Sequence, residues 1–471
     1  MRITICLVGQ ASVPVLIFLV WMALLTSCRG GGALPEPEQS DILAVTASAG
    51  SVRVYAGPDS ADHGTTARVV SGGTGQAIVD ADGSFTIDAQ LGNGTVSQAI
   101  AITVEYTKEG AALQTNATVV EQSSSVTKPL FSTGAGPNDM IYANDSLYVA
   151  NSLDNTVVRY GLDGAELAAA SFPEFASPSF LGLAGSELYV VANGLNTLTG
   201  LDALNLAALA PPRESGISPG DLAFAGPGAP AIIGSAVYIP MAMIQEFGES
   251  TVYGMGALTY VEFPGPGGGS VNLSGYNGQR AYYDAASGHL LVTSTGQLQF
   301  DDSFMPFVTT DSYLDILDPE ELGNPVAAVN LGRIGAGAIT VSADGAIAYI
   351  GNALSGNLYK VDLESFVVLR GEDSPIVLTD EYTFISDVTF TPDGKYVLAT
   401  SFNTDELYVI DPATDTVNPG PYPGPFDLSL DPELLAGCVN VEVTPKPGDP
   451  GRYSAFVLYA VGNAVARVDL F

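Results

Sequence analysis

The sequence predicts an all-β protein, namely a seven-bladed β-propeller preceded by a small β-sandwich. Three observations predict this fold class. Short runs rich in Val, Ile, Tyr and Thr alternate with clusters of Gly, Pro, Asn and Asp, while helical periodicity is almost absent. From about residue 126 the chain repeats one unit seven times, at a spacing typical of propeller blades. The last unit stops after its third strand, so that a strand preceding the first unit can complete it.

The first 27 residues have the pattern of an export signal, since Arg2 precedes a long apolar stretch and small residues. The sequence LTSC, which ends at Cys28, resembles the bacterial lipobox. That resemblance implies that Cys28 carries a lipid and that residues 28–41 form a flexible tether. A plain transmembrane anchor is the alternative, although a membrane span usually needs about 20 apolar residues. Because Arg29 and not aspartate follows the cysteine, the resemblance to enterobacterial lipoproteins implies the outer membrane over the inner one.

The composition excludes several classes of function. The chain has 51 acidic residues against 16 basic ones, a net charge of −35 that repels nucleic acid and anionic lipid. Apolar residues make up 46 % of the chain, which is enough for a substantial core and argues against disorder. Once Cys6 leaves with the signal and Cys28 takes the lipid, Cys438 is the remaining thiol, so that neither an internal disulfide nor a cysteine metal site is expected. We expect a monomer with no nucleic-acid partner.

The segment of residues 42–122 reads as a folded unit of its own. It contains several short strands, and its stretch VDADGSFTID resembles the hairpin of bacterial immunoglobulin-like and carboxypeptidase-regulatory-like modules. The resemblance implies a small immunoglobulin-like β-sandwich.

Residues 126–471 contain the seven repeats. Each unit has a first strand, a turn, a second strand that ends near an asparagine, and a third strand that often ends in an aspartate. Units such as VTFTPDGKYVLATSFNTDELYVIDPATDTV resemble the YVTN-type repeats of bacterial and archaeal surface propellers, and the first unit is similar to the NHL type. The segment SSVTKPLFSTG is predicted to close the ring as the fourth strand of the seventh unit, which would remove exposed sheet edges. The resemblance implies the fold and not the function.

Four asparagines recur near the end of the second strand. Asn and Asp tolerate left-handed backbone geometry and bond to their own turn, so we interpret them as hairpin corners and not as a site. They are Asn151, Asn193, Asn352 and Asn403, followed by the polar residues Asn155, Asn196, Asn357 and Asp405.

A different position varies between the units. At the start of the first strand, where side chains point at the central channel, the alignment gives Asp139, Phe180, Asp221, Ala281, Ala338, Asp387 and Asn440. Units six, seven and one are neighbours in a ring, so Asp387, Asn440 and Asp139 should converge, with Asp221 further round. Carboxylates brought together repel one another unless a cation or a proton compensates them, and hard oxygen ligands suit calcium or magnesium. The hypothesis is a metal site, with calcium as the candidate ion; the alternative is that each residue caps a turn or bonds backbone amides.

The second difference between the units is a pair of insertions. Unit three extends its second-to-third-strand connection over residues 241–256, and unit four does so over residues 296–311. Both should rise beside each other over the channel mouth, where long loops on a rigid scaffold often bind ligands. The alternative is that their aromatic residues pack locally beneath their own loops. The candidate binding residues are Phe247, Tyr253, Phe300, Asp301, Asp302, Phe304 and Phe307.

These observations leave three functional hypotheses open. The leading one is a non-catalytic, lipid-anchored protein of the bacterial cell envelope that binds a protein, a small molecule or a glycan on its loop-rich face. The second is a divalent-metal hydrolase or lactonase with its site at the channel mouth. The third is a structural envelope component. We assign no catalytic residue, because two histidines and a Gly-rich stretch without a P-loop lysine support no known catalytic motif.

Overall fold

The computed structural model describes most of the chain in two compact units, with the division between Glu121 and Gln122. The predicted signal peptide, the tether and Cys28 lie outside the described residues. Within the described part of the chain, no helix is long and apolar enough to cross a membrane. The described residues are 42–48, 51–91, 101–108, 111–120, 126–215, 222–246, 251–301, 305–422, 424–431, 433–446 and 449–470.

The first unit is a closed β-barrel. Its first strand pairs antiparallel with the second and parallel with the seventh, so the strands form one continuous ring around a core that includes Val54, Phe85 and Val104. The all-β prediction is confirmed here. The immunoglobulin-like sandwich is not confirmed, because these pairings join what would be two separate sheets. The strands are β1 (Ile42–Ser48), β2 (Ser51–Ala56), β3 (Thr66–Ser71), β4 (Gly73–Ile78), β5 (Phe85–Leu91), β6 (Ala101–Lys108) and β7 (Ala111–Val120), paired in the order β1-β2-β5-β4-β3-β6-β7.

The second unit consists of antiparallel sheets that follow one another along the chain. The described residues form seven sheets of four or five strands, which we number sheets 1 to 7 in chain order. Sheet 1 contains β9 (Pro137–Ala143), β10 (Ser146–Asn151), β11 (Thr156–Gly161) and β12 (Glu166–Ser171). Sheet 2 contains β13 (Pro178–Ala184), β14 (Glu187–Ala192), β15 (Thr197–Asp202) and β16 (Arg213–Glu214), with a 3-10 turn at Asn193–Leu195. Sheet 3 contains β17 (Ala231–Ile233), β18 (Ala236–Met241), β21 (Met255–Glu262) and β22 (Gly268–Tyr276).

The remaining sheets continue the pattern. Sheet 4 contains β23 (Gly278–Asp284), β24 (His289–Ser294), β27 (Ser312–Leu317) and β28 (Ala327–Gly332). Sheet 5 contains β29 (Ala336–Val341), β30 (Ile347–Asn352), β31 (Asn357–Asp362), β32 (Val367–Arg370) and β33 (Ile376–Val377). Sheet 6 contains β34 (Ile385–Phe390), β35 (Val397–Ser401), β36 (Glu406–Ile410) and β37 (Phe426–Asp427). Sheet 7 contains β38 (Cys438–Lys446), β39 (Asp449–Tyr459) and β40 (Ala464–Asp469), together with β8 (Val126–Ser132).

Strand β8 completes the last sheet from the other end of the unit. It pairs antiparallel with β40, and Phe131 lies opposite Val465. The prediction that the segment before the first unit supplies the fourth strand of the last one is therefore confirmed. The pairing covers the outer edge of β40, which would otherwise offer unpaired backbone groups to other chains.

The core lies between the sheets. Each of seven apolar clusters fills the space between two consecutive sheets, and one of them joins sheet 7 to sheet 1 through Met140, Val149, Phe456 and Leu458. Second strands are accordingly buried on both faces, and all six residues of β10 are buried. This packing explains why the second strands read as continuous apolar runs instead of alternating patterns.

The contact between sheets 7 and 1 generates the first prediction. Phe456 is fully buried in it, so Phe456→Ala should lower the free energy of unfolding of the second unit by about 3–5 kcal/mol. The matched control is Phe175→Ala, because Phe175 is 74 % exposed. Thermal and denaturant unfolding would measure both, and equal effects of the two substitutions would contradict the closure.

Candidate functional site

A recurring irregularity sets the side chains that face the axis of the second unit. In sheets 1, 2, 4, 6 and 7 the pairing of the first two strands skips one residue near the start of the first strand. An extra residue of this kind is a β-bulge, which bends the strand and re-aims the next side chain. The skipped residues are Asn138, Ser179, Gln279, Ser386 and Val439, and the residues that follow them are Asp139, Phe180, Arg280, Asp387 and Asn440.

This register corrects the sequence alignment in unit four. The alignment put Ala281 at the channel position, whereas the structure puts Arg280 there, one residue earlier. The reason is a backbone contact with sheet 3: the amide of Ala229 donates to the carbonyl of Gln279 and the amide of Ala281 donates to the carbonyl of Ala229, both at 2.9 Å. Counting from the start of the strand would have found Arg280, since it is the third residue of β23, as Asp139 is of β9.

The predicted residues Asp139, Asp387 and Asn440 do come together, and Arg280 and Glu442 join them. They line a cavity of about 240 Å³ at the axis, and the wall from sheet 3 is formed by Ala229 and Pro230. Asp221, the fourth predicted member, lies outside the described residues. Asp139, Asp387 and Asn440 are buried, while the side chain of Arg280 keeps 23 % of its surface exposed.

The carboxylates tie neighbouring first strands together. Asp387 pairs with Arg280 through one oxygen, and its other oxygen accepts a hydrogen bond from the amide of Val441 at 3.0 Å. Asp139 accepts one from the amide of Leu181 at 2.8 Å and one from the side-chain amide of Asn440 at 3.1 Å. Each carboxylate thus accepts a hydrogen bond from a backbone amide in the first strand of the following sheet, as the alternative to a metal site expects.

Burial dominates the titration of the cluster. It raises the pKa of Asp139 from 3.8 to about 7, with Arg280 acting in the opposite direction. It also raises the pKa of Glu442 well above its usual value, and the charges of Asp387 and Asp139 add to that effect. For Arg280, burial favours loss of the charge, but the carboxylates of Asp387 and Asp139 outweigh it and raise the pKa.

The donor set does not fit calcium well. The oxygens of Asp139 and Asp387 are already used by amides and by Arg280, whereas calcium takes six to eight oxygen ligands. Among the residues that the structure describes, no group of three or more His, Cys, Asp or Glu side chains is arranged to hold a metal ion. Arg280 is the compensating cation that the converging carboxylates require. The metal hypothesis itself stays an untested prediction.

The two insertions each form a small hairpin beside the first strands. In sheet 3, β19 (Ile244–Glu246) pairs with β20 (Val252–Tyr253), and in sheet 4, β25 (Leu298–Phe300) pairs with β26 (Pro306–Val308). The insertion of sheet 3 is also bonded to the segment that leads into β17, because Phe224 and Ile244 exchange both backbone hydrogen bonds. The hairpins are therefore built on the scaffold.

The candidate binding residues in these hairpins divide into two groups. Tyr253 is buried, which matches the alternative of local packing. Phe300 and Phe307 are 57 % and 42 % exposed, and Asp301 holds its own turn by accepting a hydrogen bond from the amide of Met305 at 2.9 Å. The structure does not describe Phe247, Asp302 or Phe304.

The asparagines interpreted as corners recur in four of the units, and three of the polar residues that follow them have left-handed turn backbones, whereas Asn357 is the first residue of β31. Asn155, Asn196 and Asp405 have left-handed backbones with φ of 52°, 50° and 51°, which Asn and Asp adopt most readily among residues with a side chain. Asp405 in addition accepts hydrogen bonds from the amides of Ala436 and Gly437 at 2.8 and 2.7 Å. The turn therefore fixes the approach to sheet 7.

Many large exposed apolar side chains of the second unit lie at one end. We call this end the loop face; it comprises the connections between second and third strands and those that lead into each first strand. Leu153 is 75 % exposed there and Phe175 is 74 % exposed. The exposed apolar residues of the loop face are Leu153, Phe175, Leu195, Val252, Met255, Phe300, Met305, Phe307, Tyr382, Leu434, Leu435 and Val461.

Comparison with known proteins identifies the fold. No protein-family model matches the sequence, and no curated protein does. The β-propeller domain of Cps50 (Swd1) from Myceliophteria thermophila matches with a TM-score of 0.51 and 11 % identity, over 73 % of this chain and 100 % of that chain. This chain contains a β-propeller. Selenomethionine-substituted virginiamycin B lyase from Staphylococcus aureus matches with a TM-score of 0.53 and 9 % identity, over 74 % of this chain and 98 % of that chain.

A catalytically inactive variant of the same lyase with quinupristin also matches the propeller. Its TM-score is 0.51 at 10 % identity, over 74 % of this chain and 99 % of that chain. Identities this low establish the fold alone, and the function has to be argued from the residues.

The raised pKa of Asp139 generates the second prediction. The folded protein holds a proton on this carboxyl up to about pH 7, whereas the unfolded chain releases it near 3.8. The stability that this proton contributes is complete below the unfolded pKa and is lost as the pH rises through about 7, on the order of 4 kcal/mol in all. Asp139→Asn should remove this loss and flatten the stability curve between about pH 4 and about pH 8.

Urea unfolding across this pH range measures the effect. The matched control is Asp163→Asn, which removes the same charge from an exposed turn of the propeller. The hydrogen bond from Leu181 can be kept by the new amide oxygen, so loss of the fold is not expected. A slope that Asp139→Asn leaves unchanged would mean that the carboxyl is ionised in the folded protein.

Proposed function

We propose that this chain is a lipid-anchored protein of the bacterial cell envelope whose seven sheets are the blades of one closed propeller, and that the propeller binds a protein partner through its loop face. The observation that carries the proposal is the set of exposed apolar side chains on that face. Contiguous exposed apolar surface on a soluble domain is typical of interaction sites. Aromatic anchors such as Phe175, Phe300 and Phe307 are the kind of side chain that contributes most binding energy in protein interfaces.

Left-handed backbones at bulky residues occur on the loop face, and they also occur at Leu206 and Phe366 in turns at the opposite end. Phe175 and Met243 both have left-handed backbones, with φ of 65° and 59°. A side chain other than Gly, Asn or Asp costs on the order of 1 kcal/mol or more in this region, and such strain clusters at functional sites. In Phe175 the strained backbone presents a phenyl ring to solvent, where the ring adds nothing to the core.

The net charge of the chain indicates which kind of partner it favours. The chain carries a net charge of −35, so a partner with a basic rim around an apolar centre would be steered to it, and an acidic one would be repelled. We place the anchor at Cys28 and favour the outer membrane over the inner one, on the strength of the lipobox-like LTSC and of Arg29.

Photo-crosslinking tests the loop face. A benzoylphenylalanine placed at Phe175 or Phe300 should give one and the same crosslinked protein in intact cells, since both positions belong to one interface. The matched control is Leu204, which is 68 % exposed in the turn after β15, at the opposite end of sheet 2. Mass spectrometry of the adducts identifies the crosslinked protein at each position. Adducts at Leu204 with the same protein, or different proteins at Phe175 and Phe300, would contradict a single docking face.

Replacement of the lipobox cysteine tests the anchor. Cys28→Ser should move the protein from the membrane fraction to the soluble fraction and abolish incorporation of labelled palmitate, because the thiol that carries the lipid is lost. Cys6→Ser, inside the apolar stretch, is the control and should change neither result. Membrane attachment that survives Cys28→Ser would favour the uncleaved transmembrane anchor.

A further inference from the structure

Some of the polar groups that line the axial cavity still have unused hydrogen-bonding capacity. The acceptors of Asp139 and Asp387 are occupied by the amides of Leu181 and Val441, by Asn440 and by Arg280. Arg280, in contrast, donates within the described residues through Nη1 to Asp387. A guanidinium has five N–H donors in a planar fork, so the edge formed by Nε and Nη2 keeps donors for another group.

The side chain that carries this edge is partly accessible. The side chain of Arg280 is 23 % exposed although Asp387 is almost fully buried, and Arg280 lines the cavity of about 240 Å³. Thr340 and Thr389 line the same cavity. The volume lies below the roughly 300–1,000 Å³ of pockets for drug-sized ligands, which restricts an occupant to a few heavy atoms.

We propose that the axial cavity binds a small organic monocarboxylate, whose two oxygens accept hydrogen bonds from the free edge of Arg280. Two parallel N–H···O bonds are the geometry in which guanidinium groups recognise carboxylates. Thr340 and Thr389 favour an occupant that carries a hydroxyl group next to the carboxylate, of which lactate is an example. The site is separate from the loop face, and the inference does not rest on the proposed protein partner.

The surrounding charges permit an anion. Arg280 balances Asp387, while burial raises the pKa of Glu442 well above its usual value and raises the pKa of Asp139 to about 7. These four are the charged side chains that line the cavity. An arriving carboxylate would favour the protonated forms of Asp139 and Glu442 further, so its binding should weaken as the pH rises above about 7.

Ligand titration of the full-length protein in detergent tests the proposal. Acetate and lactate should bind with dissociation constants on the order of 1 mM, as followed by saturation-transfer NMR and by the rise in melting temperature. Acetamide, which has the shape of acetate without its charge, should not bind. Equal binding of acetamide, no binding of either carboxylate, or binding of methylammonium or calcium chloride in their place would overturn the proposal.

Variants locate the site. Arg280→Lys keeps the positive charge beside Asp387 but loses the planar fork, and it should weaken acetate binding at least tenfold. Arg333→Lys is the matched control, since the Arg333 side chain is 63 % exposed and does not line the cavity. Unchanged acetate binding in folded Arg280→Lys would overturn the assignment.

A second variant covers the case in which Arg280→Lys fails to fold. Thr340→Val has nearly the same shape and leaves the pair of Arg280 and Asp387 intact. It should weaken lactate binding more than acetate binding, because it removes a partner for the ligand's hydroxyl group. Equal affinities of lactate in Thr340→Val and in the natural protein would remove the hydroxyl contact from the proposal.

Discussion

The contact between the last sheet and the first is the interaction on which the rest of the propeller depends. Both ends of the unit contribute to sheet 7, where Val126 of β8 pairs with Val468 of β40, more than three hundred residues further along the chain. Phe456 and Leu458 of sheet 7 are fully buried against Met140 and Val149 of sheet 1. Burying each of these side chains contributes about 1.5–3 kcal/mol. Without this contact sheets 1 and 7 would each expose one apolar face, and their first strands would not meet at the axis.

Closure brings polar groups together at the axis, where Asp139, Asp387 and Asn440 are buried. The first strands of sheets 1, 4, 6 and 7 converge, and each of these four brings its third residue to the axis through a bulge. A buried carboxylate costs several kcal/mol unless it is paired and hydrogen-bonded. For Asp387, the ion pair with Arg280 and the hydrogen bond from the amide of Val441 offset this cost. Asp139 has two hydrogen bonds but lies further from a cation partner, and burial prevails, so that its proton is held to about pH 7.

The propeller therefore offers two surfaces of opposite chemistry. The axial cavity is small, polar and fixed by hydrogen bonds between neighbouring sheets. The loop face carries exposed apolar side chains such as Leu153, Phe175 and Phe300, which lie in turns and hairpins that the sheets position but do not bury. A rigid scaffold with variable loops allows both, because the packing between sheets leaves the connections free to vary.

The sequence by itself determined the repeat, the strand pattern, the closing strand and the corners, because each is a local property of composition and spacing. Asn155 and Asp405 are examples: a hairpin corner selects such residues whatever surrounds it. The sequence also predicted that Asp139, Asp387 and Asn440 converge, but only the tertiary structure decided which cation joins them. Alignment by similarity placed Ala281 at the axis, whereas the hydrogen bonds between Ala229 and its neighbours in sheet 4 place Arg280 there. A shift of one residue turns a strand's side chains to the other face, and here it replaces a methyl group by a guanidinium. The guanidinium that compensates the converging carboxylates lies at the axis because of this one-residue shift. Contacts between distant segments of the chain cause the shift.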